Sequence, residues 1–269
     1  MEIEFWKMNG AGNDFVVIDN RDMRHRLDGA AIARLCDRHR GVGADGLLAV
    51  EPAEQGADFR MRYYNADGGE AEMCGNGARC FARFARFLSG RPLEKVTFET
   101  PAGVIGAAFD GDQVQLKMSD PVDLKCGLTL DVAGMEQVVH FLNTGVPHAV
   151  VMVPDLKEVP VREWGAALRH HTAFAPKGTN ANFSKAEGPS AISIRTYERG
   201  VEDETLACGT GMVASAIIHH LLTGDPSPVS VKVKGGDTLQ VGFTRDGDTF
   251  REVTLTGPAD MVFKGSTVL

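Results

Sequence analysis

Met73-Cys74-Gly75-Asn76-Gly77-Ala78 and Ala207-Cys208-Gly209-Thr210-Gly211-Met212 set two cysteines in nearly the same frame, 134 residues apart in a chain of 269. Each is followed by Gly-x-Gly and a long apolar run, the pattern of a thiol at the start of a helix. The free N–H groups and dipole of a helix N-terminus favour an anion, so both thiols are expected to ionise below the free value of about 8.5. One such thiol per half of a duplicated chain can stand on either side of a small molecule. That suits an enzyme that takes a proton from one face of a carbon and returns it to the other.

The duplication extends beyond the cysteines. Phe59-Arg-Met-Arg-Tyr-Tyr-Asn65 precedes the first and Ile192-Ser-Ile-Arg-Thr-Tyr-Glu198 the second, pairing Arg62 with Arg195 and Tyr64 with Tyr197 at an offset of 133. Both segments alternate apolar and polar residues, the period of a half-buried strand. Downstream, Ala102-Gly103 matches Gly235-Gly236, each opening strand-like runs that close at Asp120-Pro121 and Gly257-Pro258. Upstream, Gly12-Asn13 matches Gly145-Val146 at the same offset of 133. A unit this long is no solenoid repeat. The chain is read as two homologous domains, 1–120 carrying Cys74 and 121–262 carrying Cys208, with a C-terminal tail, 263–269, able to pack back onto the first.

Composition excludes several classes. The chain is 43% hydrophobic and 24% charged, the balance of a soluble globular protein. No apolar run approaches the length of a membrane span, and Met1-Glu-Ile-Glu4 lacks a signal pattern, so a cytoplasmic location is expected and no membrane partner. A net charge of −8 without a basic cluster argues against nucleic acid. Five cysteines in a chain of this length make no disulfide framework, and Cys74 and Cys80 are poorly spaced for zinc. Cys36, Cys80 and Cys126 read as ordinary small hydrophobes.

Strands are predicted over 2–8 and 15–19, flanking the turn Asn9-Gly-Ala-Gly-Asn-Asp14. Helices are predicted over Asp28–Arg38, Gly75–Leu88, Val161–His171 and Gly209–Leu222. In the second, Phe81, Phe84, Phe87 and Leu88 form the apolar stripe, and Arg79, Arg83 and Arg86 sit opposite. The last is apolar on nearly every side and belongs inside something. With strands all round it, a helix wrapped by a curved, largely antiparallel sheet is the simplest packing.

Asn9-Gly-Ala-Gly-Asn-Asp-Phe15, Met73-Cys-Gly-Asn-Gly-Ala-Arg79, Tyr197-Glu-Arg-Gly200 and Ala207-Cys-Gly-Thr-Gly211 together resemble the diaminopimelate epimerases, in order and over essentially the whole chain. The resemblance implies an α/β (α+β) fold of two homologous domains related by pseudo-two-fold symmetry, each a barrel-like, mostly antiparallel sheet around a central helix. It implies interconversion of LL- and meso-2,6-diaminopimelate without metal or pyridoxal phosphate, serving lysine and peptidoglycan precursor synthesis. A homodimer is also implied.

Carried over by position, Cys74 and Cys208 would be the two acid/base residues, with His148 and Glu198 as helpers. Asn76 and the backbone of Gly75, Gly209 and Thr210 would hold the reacting carboxylate and amine, and Asn13 would line the pocket. Asn65, Asn180 and Arg199 would read the distant amino-acid end, Arg199 as a bidentate carboxylate clamp and Glu198 as an ammonium ligand. Two positions depart from the family pattern. Val146 stands where many relatives carry Asn, and Gly46 where some carry Gln. They leave open a related racemase for another amino acid. From a different class, a thiol redox or metal-binding protein would use the same two cysteines.

Overall fold

The computed structural model describes residues 2–71 and 73–268, which divide into two units: residues up to Leu116 together with those from Gly257, and Lys117–Thr256. The first unit opens with strands β1 (Glu2–Asn9) and β2 (Asp14–Asp19), helix α1 (Gly29–Cys36), and strands β3 (Gly46–Glu51) and β4 (Phe59–Asn65). Helix α2 (Gly75–Ser89) and strands β5 (Lys95–Thr100), β6 (Gly103–Asp110) and β7 (Gln113–Lys117) follow. The second unit has β8 (Val122–Val132), β9 (Met135–Asn143), β10 (Pro147–Met152), α3 (Val161–Arg169), β11 (Asn180–Gly188) and β12 (Ala191–Glu198). It continues with β13 (Asp203–Thr205), α4 (Gly209–Thr223), β14 (Val229–Lys232), β15 (Thr238–Asp246) and β16 (Thr249–Gly257), before the chain ends in β17 (Asp260–Val268).

The repeat recurs strand for strand. In the first unit β1–β2 is antiparallel, β2–β3 parallel, β3–β4 antiparallel, β4–β5 parallel, and β5–β6 and β6–β7 antiparallel. In the second, the same series of senses runs β9–β10, β10–β11, β11–β12, β12–β14, β14–β15 and β15–β16. The antiparallel neighbour that β8 gives to β9 comes, for β1, from β17 at the far end of the chain. The fold is mixed α/β and sheet-dominated, two units built to one plan.

Each unit has two layers of core. Helix α2 lies against β1 to β5 and α4 against β9 to β12, β14 and β15. One helix touching so many successive strands requires the sheet to curl around it. Within α4 every residue from Gly211 to His219 is buried, as its all-round apolar sequence demands. The opposite face of each sheet carries a smaller helix. Ile32, Leu35 and Cys36 of α1 pack with Ile3, Val16, Ile18 and Leu47, and Val161 and Leu168 of α3 with Val139, Val151 and Phe183. Strands β2 and β3 are therefore buried on both faces and read as near-continuous apolar runs.

Three helix expectations are corrected. Helix α1 ends at Cys36, two residues short of Arg38, because Asp37 turns back to accept from the His39 and Arg40 N–H groups. The Val42 and Gly43 N–H groups then bond to Leu35, closing the chain against the helix end. Gly41 is obligatory there, since a Cβ would stand 2.0 Å from the Arg34 carbonyl oxygen. Helix α3 likewise stops at Arg169, with His170 and His171 turning back to Ala166 and Leu168. In α2, Phe87 is 54% exposed whereas Arg79, read as part of the polar face, is fully buried. The helix start is enclosed by loops that the sequence pattern does not reveal, with Arg79 bonded to the Gly10 and Pro258 carbonyls.

Candidate active site

Cys74 and Cys208 each occupy the N-cap of a buried helix, with extended backbone (φ −140°, ψ 120° and φ −127°, ψ 110°). The following Gly-x-Gly leaves the first-turn N–H groups uncovered beside the sulfurs, and those orphan donors are what an anion would find. At Cys74 the sulfur accepts from the Gly77 N–H at 3.5 Å. At Cys208 the Thr210 hydroxyl lies 3.6 Å from the sulfur. Cys74 is half-buried and Cys208 buried.

Around Cys74 the fold gathers Asn13, Asn76 and Asn65. The Asn76 amide donates to Asn13 Oδ1 at 2.7 Å and accepts from Arg79 Nη2 at 2.8 Å. Arg79 also donates to the Gly10 and Pro258 carbonyls, holding the turn between β1 and β2 against the helix start. Asn13 in turn donates to Asp45 Oδ2 at 2.9 Å, and Arg38 bridges Asp45 and Asp14. Burial pushes the Asp14 carboxyl up, but hydrogen bonds from Arg38 and Lys7 outweigh it and hold the group well below the usual carboxylate range. This network fixes both asparagines to the frame. Asn65, exposed at the end of β4, accepts from the Tyr63 hydroxyl at 2.9 Å.

Around Cys208 the cluster is denser. Asn182 of β11 accepts from the Thr196 hydroxyl at 2.9 Å, which turns its Nδ2 toward His148 Nδ1 at 3.0 Å and the Ala149 carbonyl at 3.0 Å. With Nδ1 accepting, the proton sits on Nε2 and is donated to Thr210 Oγ1 at 2.9 Å. Burial, with the Arg199 charge added, drives His148 down to about 3, so the ring is neutral at physiological pH. Glu198 accepts from Thr205 and lies in hydrogen-bonding reach of Cys208; burial raises its carboxyl. Arg199 has its backbone N–H held by Asn180 Oδ1 at 2.8 Å, while Asn180 Nδ2 donates to Pro147. Asn180 therefore positions the arginine main chain.

The expected low pKa holds poorly at Cys208. Burial raises that thiol strongly and the Glu198 charge raises it further, against smaller lowering contributions from Thr210 and Gly211. A helix start stabilises a thiolate only where water or a counter-charge offsets desolvation, and here a carboxylate stands beside the sulfur. The structure thus brings together Cys208, Thr210, Glu198 and His148, with Arg199 and Asn180 next to them. In the other unit it brings together Cys74, Gly75, Asn76 and Asn13, with Asn65 linked through Tyr63.

Asn182, Thr196, Arg79 and Tyr63 escape a reading of the sequence. Asn182 was findable in principle: Asn180, Asn182 and Ser184 recur at the strand period, a row of polar side chains on one face of β11. Arg79 carried a signal in the Gly-Asn-Gly-Ala-Arg turn, but helical periodicity alone sends it to solvent. Among the described residues no group of three His, Cys, Asp or Glu side chains could hold a metal ion, and no helix is long and apolar enough to cross a membrane.

A family model described as Diaminopimelate epimerase matches residues 5–124 and 140–262. A diaminopimelate epimerase of Aquifex aeolicus (strain VF5) is 45% identical over 275 residues, covering 98% of this chain and 97% of its own. One from Chlorobaculum tepidum is 46% identical over 265 residues, covering 97% and 100%. Among solved structures, a phenazine biosynthesis protein of the PhzF family from Bacillus anthracis superposes with a TM-score of 0.75 at 16% identity, covering all of both chains. That last likeness speaks for the fold alone.

Proposed function

The chain belongs to the diaminopimelate epimerase family, and from that membership we propose an isomerase that interconverts LL- and meso-2,6-diaminopimelate by a two-cysteine proton transfer. One cysteine enters as thiolate and removes the α-proton; the other enters as thiol and donates to the opposite face. The α-hydrogen of an amino acid is a very weak acid, so stabilisation must come from donors already in place and from exclusion of water. The first-turn N–H groups at Gly75 and Gly209 would face the carboxylate as charge develops on it. Asn76 and Thr210 complete those helix starts.

The protonation states can be assigned within this reading. Burial and Glu198 favour the thiol form of Cys208, the form in which a cysteine enters as the acid. His148, neutral and donating to the Thr210 hydroxyl, would orient that hydroxyl beside the Cys208 sulfur. Arg199, Asn65 and Asn180 would hold the distal amino-acid end, with Val146 and Gly46 supplying no polar group to it. The reading includes two homologous domains, each bringing one cysteine, in a cytoplasmic homodimer that needs neither metal nor pyridoxal phosphate.

The observation that carries the proposal is the cysteine N-cap with an uncovered Gly-x-Gly first turn, present once in each repeat. The test is incubation of purified, reduced protein with meso-diaminopimelate and chiral chromatography of the products, with histidine, proline and glutamate as competitors. Formation of the LL isomer with no racemisation of the others is expected. No LL isomer, or faster turnover of another amino acid, would sink the assignment.

A further inference from the structure

The Cys74 half-site contains one buried hydroxyl that the chemistry above leaves unused. Tyr63, near the end of β4, is 9% exposed, and its ring meets Phe15 edge-on with centroids 6.1 Å apart. The ring occupies space that Gly46 leaves open. A Cβ on Gly46 would stand 2.9 Å from Tyr63 Cε2 and 2.5 Å from the Tyr64 carbonyl oxygen. No larger residue at position 46 is compatible with the tyrosine where it stands. Its hydroxyl donates to Asn65 Oδ1 at 2.9 Å and lies within hydrogen-bonding reach of Cys74.

A phenol has one proton to donate and lone pairs to accept with. When Cys74 is a thiol, its S–H donates to the Tyr63 oxygen and the phenol donates to Asn65. When Cys74 is a thiolate, the stronger bond is to the charged sulfur. The O–H then turns to Cys74, and Asn65 Oδ1 is released to accept from a ligand. No atom leaves or arrives; one proton changes its acceptor.

We propose that Tyr63 is a positioning residue of the Cys74 half-site, its single proton shared between Cys74 and Asn65 so that the charge on the thiol and the grip on the distal end of the substrate are coupled. This rests on the reading of Cys74 as an acid/base residue and extends it. A substrate ammonium held by Asn65 Oδ1 displaces the phenol toward Cys74 and favours the thiolate there. Binding of the far end thereby readies the base. Burial and the neighbouring Cys74 both push the Tyr63 pKa up, so the phenol keeps its proton while the thiol titrates.

The other titratable or charged groups around this pair are Asp45 ahead of β3, Cys36 at the end of α1, and Cys80 and Arg79 in α2. They are common to the variants compared below and do not contribute to differences between them. The experiment is iodoacetamide labelling of the full-length protein across pH, read by mass spectrometry on the peptide that contains Cys74. Cys36 and Cys80, pushed up by burial to about 11 and about 12, remain separate in that readout.

Tyr63→Phe should move the labelling midpoint of Cys74 up by about one pH unit, the loss of one hydrogen bond to a charged group. Asn65→Ala, at an exposed position, removes the competing acceptor and should move the midpoint down. In turnover, Tyr63→Phe should lower kcat about tenfold near neutrality, with activity recovering as pH rises by the same interval. An unmoved midpoint in a folded Tyr63→Phe, or a rise with Asn65→Ala, overturns the proposal. If Tyr63→Phe does not fold, the Asn65→Ala shift decides alone. Labelling does not require turnover, so an inactive wild type would count against the epimerase reading and an unshifted midpoint against Tyr63.

Discussion

Cys74 and Cys208 occupy equivalent stations in two units with the same series of strand pairings, yet the floors beneath them differ. Behind Cys74 the first turn of α2 rests on carbon: Phe15 and Leu48 both lie 3.4 Å from where a Cβ on Gly77 would be. Behind Cys208 the matching glycine, Gly211, faces Asn182 Oδ1 at 2.3 Å, and the positions matching Phe15 and Leu48 are His148 and Asn182. The backbone that aims the sulfur was kept through duplication, while the side chains that set its charge diverged. Two thiols on one plan then stand in different surroundings, one against carbon and one against a buried polar cluster.

The largest effect that could break this comparison comes from the sulfurs themselves. Cys74→Ser and Cys208→Ser should each reduce epimerisation by roughly a thousandfold, the scale of one general acid or base. Chiral chromatography of diaminopimelate after long incubation measures it. Retention of substantial activity in either variant would mean that only one unit does chemistry.

Arg79 has no counterpart in the other unit, where the matching residue is the buried Val213. Arg79→Leu should therefore be costly, because Gly10 O and Asn76 Oδ1 each lose a buried donor. A loss of about 3 kcal/mol is expected in urea unfolding, at about 1–3 kcal/mol per unsatisfied group. Full stability in that variant would show that the arginine is dispensable to the helix start.

Thr210→Val removes the hydroxyl between His148 and Cys208 and leaves a buried imidazole N–H without its acceptor. It should cost about 1–3 kcal/mol in stability and lower kcat roughly tenfold or more. The equivalent change in the first unit, Asn76→Ala, breaks a carboxylate-binding helix start instead. It should act more on KM, and the contrast between the two sharpens the division of labour.

The smallest effect is on pH dependence. Unfolded, His148 titrates near 6.5, whereas burial and Arg199 hold it near 3 when folded. Between those values only the unfolded chain binds the proton. Its contribution is complete above about 6.5 and is lost progressively as pH falls toward 3, by at most about 1.4 kcal/mol per pH unit. His148→Gln should flatten that acid limb of a stability–pH curve. An unchanged slope would mean that His148 is not the group responsible.

The duplication and the cysteine N-caps were legible because they are local. A Cys followed by Gly-x-Gly and an apolar run encodes its own helix start, and strand alternation needs only neighbouring residues. Asn182, Thr196 and Tyr63 were not legible, because their roles depend on strand register and on where side chains meet in space rather than on local periodicity. Thr196 meets Asn182 only in the β11–β12 register. The lowered thiol expected at Cys208 failed for a related reason. A helix dipole can be read from sequence, but desolvation and a carboxylate arriving from β12 cannot. Arg79 reversed a periodicity argument because loops from elsewhere in its unit close over the face that α2 would otherwise expose.

The account turns on two different groups serving the two faces of one carbon. Its most direct test is epimerisation in heavy water, run from each isomer separately and stopped at low conversion. Solvent deuterium should appear at the inverted carbon of the product, while recovered substrate carries none, in both directions. Deuterium shared equally between recovered substrate and product would mean that a single base visits both faces, and would contradict the assignment of one cysteine to each.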